Sequence, residues 1–172
     1  MWIFGYGSLI WKVGFEDLER RPGYVEGWSR RFWQDSTDHR GTPPAPGRVV
    51  TLVPAPDERV WGMAYRIDEA HSEAVLDRLD YREKGGYQRH LAPVFDHDGA
   101  VFAPDALIYL ATRGNPNWGG ALPLEEIAAR IATSRGPSGT NLEYLIELAA
   151  ALRLMGAEDE HVFELERLVA GD

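Results

Sequence analysis

The chain has 172 residues, of which 44% are hydrophobic, 26% are charged and none is cysteine, and its formal net charge is −9. These values predict one folded domain over residues 1–172 and exclude a wholly disordered chain. They also exclude disulfides, thiolate nucleophiles and Cys-ligated metals, and they argue against nucleic acid as a partner.

Residues 2–6 form a short apolar run closed by Gly7-Ser8, the first expected strand. No basic stretch precedes it as in a signal peptide, and no apolar run approaches the ~20 residues of a membrane span, so a cytoplasmic protein with no membrane partner is expected. Residues 24–35, 48–53 and 59–67 are rich in β-branched and aromatic side chains and predict strands. The Pro/Gly clusters at 41–47 and 54–56 predict loops between them. Residues 68–79 switch to helical spacing, with Asp68 as N-cap and Val75, Leu76 and Leu79 on one face. Two more strands are expected at 91–95 and 107–111, with a hairpin turn at Asp96-His97-Asp98-Gly99. Pro93 and Pro104 suit an edge position or an irregular ladder.

The last third predicts helices. Pro123 opens one, with Glu125 and Glu126 in its first turn and Gly136-Pro137 as its stop. Thr140-Asn141-Leu142-Glu143 has capping-box spacing, followed by Leu145, Leu148, Ala149 and Leu152 on one face. Val162, Leu165, Leu168 and Val169 mark a final amphipathic helix. Strands first and helices last give an α+β class with a largely antiparallel sheet, and the order excludes a doubly wound parallel sheet.

Two segments carry candidate chemistry. Gly5-Tyr6-Gly7-Ser8-Leu9-Ile10-Trp11 lacks the third glycine of a dinucleotide fingerprint and the glycine spacing of a nucleophile elbow. It reads as an anion-binding turn or as a tight turn alone. In Asp80-Tyr81-Arg82-Glu83-Lys84-Gly85-Gly86-Tyr87, Glu83 is the candidate acid. Neighbouring cations lower a carboxyl pKa and burial raises it, so Glu83 is either a proton-transfer group or an exposed residue of a helix-to-strand loop. Gly85-Gly86 suggests close backbone approach, and Tyr87 offers a hydroxyl. The five histidines show no ligand spacing, and Asp35-Ser36-Thr37-Asp38-His39 reads as a hydrogen-bonded loop rather than a metal site. Trp2, Trp28, Trp33 and Trp61 read as core packing rather than a sugar platform. Arg30-Arg31 either pairs with a carboxylate or snorkels at a sheet edge.

Four ordered motifs resemble the ChaC-like γ-glutamylcyclotransferases, which cleave glutathione by cyclising its γ-glutamyl end. Tyr6-Gly7-Ser8-Leu9 is similar to the family's Y-G-S-[LN] loop, and the Asp80 to Tyr87 segment to the one bearing its essential glutamate. The run from Arg31 to Pro43 with Pro46-Gly47-Arg48-Val49 resembles the family's central region, and Ser138 to Leu145 its S-G-x-N-x-E-Y-L stretch. One departure is Asn115-Pro116-Asn117-Trp118-Gly119, where the family has Asn-Pro-x-Tyr-Leu-Gly.

The resemblance implies a small mixed β-barrel flanked by helices. It implies a lyase-type enzyme forming 5-oxoproline and Cys-Gly from glutathione, without metal or cofactor. Glu83 is then the general base and acid, and Tyr6, Gly7, Ser8 and Leu9 bind substrate, with Tyr87 and Tyr109 as further wall residues. The alternatives are other γ-glutamyl amino acids or amines as substrates, or a non-catalytic γ-glutamyl-binding module, against which an intact Glu83 argues.

Overall fold

In a computed structural model, which describes residues 1–84 and 86–171, five strands close into a barrel in the order β1-β3-β2-β4-β5. They are β1 (Trp2–Gly5), β2 (Glu19–Ser36), β3 (Gly47–Arg66), β4 (Gln88–Phe95) and β5 (Val101–Leu110). All pairings are antiparallel except β1 with β5, where Trp2 meets Ala106 and Ile3 meets Leu107 in parallel. That pair closes the barrel, removes its free edges and makes it mixed.

The barrel's frame is the long β2–β3 hairpin. Its strands outrun the expected ones because polar and proline-containing stretches stay within the ladder. Residues 55–58 swing out opposite Gly27, between the pairs Trp28–Pro54 and Glu26–Arg59. The expected loop at 54–56 is therefore an excursion inside a strand. Gly27 takes φ +82° at this irregularity, and Pro54 and Pro56 have no N–H to give a ladder. The Asp96–Gly99 turn forms as the sequence predicts, with Asp96 Oδ1 accepting Asp98 N at 3.0 Å and Ala100 N at 2.9 Å.

Asp68 caps a 3₁₀ turn, Glu69–His71, and α1 (Ser72–Arg82) follows it. Val75 and Leu79 bury against Ile3, Tyr65 and Leu107, so α1 covers one side of the barrel. The other helices are α2 (Leu124–Thr133), α3 (Asn141–Leu154) and α4 (Glu160–Ala170). Ile127, Ile131, Leu145, Leu148, Leu152, Val162 and Leu165 are fully buried in one cluster with the barrel's Phe4, Phe32 and Val60. The apolar periods of the C-terminal third thus became its core faces. A two-residue ladder, β6 (Arg135–Gly136) with β7 (Gly139–Thr140), leads into α3.

Thr140 caps α3, its Oγ1 accepting Glu143 N at 3.1 Å, but the reciprocal half of the box is replaced. Glu143 Oε2 instead receives Arg40 Nη1 at 3.1 Å. Asn141, fully buried, pairs with the β3 backbone in both directions: Oδ1 accepts Arg48 N at 2.7 Å and Nδ2 donates to Arg48 O at 2.8 Å. Asn141→Ala would strand both backbone groups, and a loss of about 2–4 kcal/mol is expected. The midpoint of urea unfolding measures it.

Candidate active site

A cavity of about 260 Å³ opens where β1 ends, between the start of β3, the end of α1 and the N-terminal part of α3. Its floor is the turn after β1. Ser8–Ile10 forms one 3₁₀ turn, in which Ile10 N donates to Gly7 O at 3.0 Å and Lys12 N donates to Ser8 O at 2.7 Å. The first amides of such a turn find no carbonyl within it, and Gly7, Ser8 and Leu9 all line the cavity. The glycines allow the tightness. A Cβ on Gly5 would lie 2.7 Å from Leu9 Cβ, and one on Gly7 would lie 2.8 Å from the Tyr144 hydroxyl.

Glu83 is the C-cap of α1 and lines the same cavity, with 18% of its side chain exposed. Burial pushes its carboxyl up to about 7, against the pull of Arg82 and with a push from Asp38. Arg82 Nε lies 3.9 Å from Glu83 Oε1, while its Nη2 donates to Ser8 Oγ and its Nη1 to Lys12 O, both at 2.6 Å. One guanidinium therefore ties the turn to the acid. Glu83 is not an exposed loop residue, and the glycine turn and the acid share one cavity.

Of the remaining candidates, Tyr6 and Tyr87 line the cavity, and burial holds both phenols well above their ordinary range, with the Glu83 charge adding to it. They are neutral donors at physiological pH. The Tyr6 hydroxyl is already engaged, donating to Tyr109 O at 2.5 Å. Tyr109 lines the cavity, but its hydroxyl turns away and donates to Asp80 Oδ1 at 2.7 Å. Its backbone carbonyl holds the Tyr6 hydroxyl. Leu9 is buried in the cluster beneath the turn. Gly86 takes φ +93°, and Asn115 Nδ2 stands 2.6 Å from where its Cβ would be. Gly85, the other half of that expectation, lies outside the described residues.

Several lining residues escaped the sequence reading. Tyr144, one turn into α3, accepts Val50 N at 3.3 Å, and burial pushes its phenol up to about 12. Arg40, with only 4% of its side chain exposed, packs over the Tyr144 ring and reaches Thr140 O at 3.0 Å. His39, in the segment the sequence marks as a hydrogen-bonded loop, joins the Ser138 hydroxyl, 3.1 Å from Nδ1, to Arg82 O, 3.3 Å from Nε2. Tyr144 and Arg40 both lay inside motifs singled out for other reasons, and nothing in their spacing told that they point inward. Trp118 packs edge-on to Trp33, their centroids 6.2 Å apart, and its neighbour Asn117 is the residue of that loop on the cavity wall. Among the described residues no group of three or more His, Cys, Asp or Glu side chains could hold a metal.

The lining carries Lys12, Arg40 and Arg82 against Asp35, Asp38 and Glu83, with neutral phenols between them. This suits a small ligand with both a carboxylate and an amine, and it places a carboxylate of near-neutral pKa beside such an amine.

Solved structures of known proteins share the architecture. A yeast γ-glutamyl cyclotransferase described as specific to glutathione superposes with a TM-score of 0.93 at 32% identity, covering 99% of this chain and 96% of that one. Barrel, helices and cavity together therefore make this a protein of the γ-glutamylcyclotransferase-like fold. The sequence model of the ChaC-like protein family matches residues 1–172. γ-Glutamylcyclotransferase 2-3 of Arabidopsis thaliana is 44% identical over 98% of this chain and 88% of its own. Human glutathione-specific γ-glutamylcyclotransferase 1 is 44% identical over 94% of this chain and 75% of its own. The chain belongs to the ChaC-like family.

Proposed function

We propose that this chain is a γ-glutamylcyclotransferase that cleaves glutathione to 5-oxoproline and Cys-Gly, with Glu83 as the proton-transfer group. The observation that carries the reading is a largely buried carboxylate raised to about 7, 3.9 Å from an arginine that holds the glycine turn. The relatives' names, glutathione-specific in human and in Schizosaccharomyces pombe, support the choice of substrate.

The α-amine of the γ-glutamyl group attacks its own γ-carbonyl carbon. A C–N bond forms to close the five-membered lactam, and the amide bond to Cys-Gly breaks. An α-amine is largely protonated at neutral pH, so its proton must leave before attack. Glu83 takes that proton, and once the C–N bond has formed the attacking nitrogen gives up a second. Both end on the departing nitrogen, which leaves as the ammonium of Cys-Gly, so Glu83 returns to its carboxylate and no water is consumed. General acid–base help of this kind is worth roughly 10²–10⁴-fold. Folding the glutamyl chain so that amine meets carbonyl contributes comparably or more, because aligned groups have large effective molarities. The amides of Gly7, Ser8 and Leu9, with Arg82 behind Ser8, hold the α-carboxylate or the developing oxyanion. Tyr87 supplies a neutral hydroxyl to the wall.

Glutathione blocked by acetylation at the α-amine is expected to give no product. Product from it would contradict the intramolecular route. Two charge changes should move the rate profile in opposite directions. Arg82 lowers the Glu83 pKa and Asp38 raises it, so Arg82→Met is expected to shift the rising limb of kcat/KM to higher pH and Asp38→Asn to lower pH. Steady-state rates between pH 5 and 9 report both.

No helix among the described residues is long and apolar enough to cross a membrane. We place the reaction in the cytoplasm, where thiols are kept reduced and where a chain without cysteine meets reduced glutathione. The net charge of −9 supports a small-molecule partner rather than a nucleic acid.

A further inference from the structure

Arg30 stands in β2 with 1% of its side chain exposed, and the mechanism above does not use it. Its guanidinium joins three separate parts of the molecule. Nε donates to Tyr6 O at 2.9 Å, Nη2 donates to Trp61 O of β3, and Nη1 donates to Asp159 Oδ2 at 2.6 Å. Asp159 is the N-cap of α4, and its other oxygen accepts Val162 N at 3.0 Å. Among the described residues, α4 itself supplies nothing to the cavity wall.

We propose that Arg30 and Asp159 are positioning residues for the reaction: Asp159, at the head of α4, aims Arg30, and Arg30 fixes the peptide plane between Tyr6 and Gly7. The proposal rests on the reading of the cavity as the γ-glutamyl site. The peptide unit is rigid, so whatever holds the Tyr6 carbonyl also sets the direction of the Gly7 N–H. Tyr6 is restrained at its other end by the bond from its hydroxyl to Tyr109 O. The carbonyl is thus where the turn could still rotate, and Arg30 blocks that rotation. Stability alone is a poor reason for the pair, since apolar side chains often replace a buried ion pair without loss. The planar fork of an arginine meets three acceptors in fixed directions, which a point charge such as lysine does not.

Asp159→Asn tests the relay. Asparagine is as good an N-cap as aspartate, so Oδ1 still accepts Val162 N, but an NH₂ now faces the Nη1 donor of Arg30. A folded protein is expected whose kcat with glutathione falls about 10–100-fold. KM should change far less, and the pH of the rising limb should stay that of wild type, because Glu83 is untouched. Arg30→Lys, which keeps the charge and loses the fork, is expected to show the same loss. Leu165→Ala is the structural control. It loosens α4 at a fully buried apolar position and should keep the wild-type kcat in its folded form. Wild-type kcat in folded Asp159→Asn or Arg30→Lys would overturn the proposal, as would an equal kcat loss in Leu165→Ala. Lack of product from wild type would overturn the proposed function and this inference with it.

Discussion

Glu83→Gln is expected to fold, to turn over glutathione at least ~10²-fold more slowly, and to be more stable than wild type above pH 7. The first effect follows from losing the only step at which the substrate amine is freed. The second follows from the same burial that makes the residue useful. Glu83 has its pKa raised from 4.5 to about 7 in the folded protein. Between those values the folded state holds a proton that the unfolded chain has released, so stability is greatest below about 4.5 and falls as pH rises through 7. The full penalty at alkaline pH is at most about 3 kcal/mol, less whatever solvent screening the partly exposed carboxylate retains. Glutamine carries no such charge, so the two proteins should melt alike near pH 4.5 and diverge toward pH 8. Thermal melts across that range, run beside turnover, separate the two claims. A Glu83→Gln protein with near-normal turnover would remove Glu83 from its role.

Gly7→Ala should cost about 10²-fold in kcat while leaving the barrel folded. The new Cβ would stand 2.8 Å from the Tyr144 hydroxyl and 3.0 Å from Val50 Cγ2. Neither neighbour can step back. Tyr144 sits in a helix fastened to β3 by Asn141, and its hydroxyl is bonded to Val50 N. The turn must shift instead, and it carries the amides that meet the substrate. Gly114→Ala is the fitting comparison, because nothing lies within 4 Å of its Cβ position. Steady-state kinetics of the two variants should show the loss at position 7 alone. Equal rates would mean that the turn does not need its close contact with Tyr144.

The helical third was legible because its signals are local. Thr140 caps where capping spacing placed it, and Leu145, Leu148 and Leu152 bury on the face their period defined. The barrel was legible only through family resemblance. Its closure rests on Trp2 and Ile3 pairing in parallel with residues about a hundred positions away, which no local pattern encodes. Strand lengths were underestimated where Arg20, Pro22 and Gly23 begin β2 and where Pro54 interrupts β3, since such residues mark turns when they are read alone.

The site divides the same way. Glu83 beside Arg82 and Lys84 reads locally as solvated, yet it lies in a cavity that Tyr6 and Asp38 reach from distant segments and Tyr87 from four residues further on. Tyr109 shows the reverse case. It lines the cavity as a strand tyrosine can, but its ring also belongs to the cluster with Ile3 and Leu9 and its hydroxyl is bonded to Asp80, which the sequence does not tell. Arg30 offered two readings, a carboxylate partner or a sheet-edge stem, and Asp159 decides for the first.

The most direct test of the central claim is a time course of purified protein with glutathione, followed by mass spectrometry. The account predicts 5-oxoproline and Cys-Gly rising together in equal amounts, with no oxygen taken from isotopically labelled water. Free glutamate carrying that label, or glutathione left intact, would contradict it.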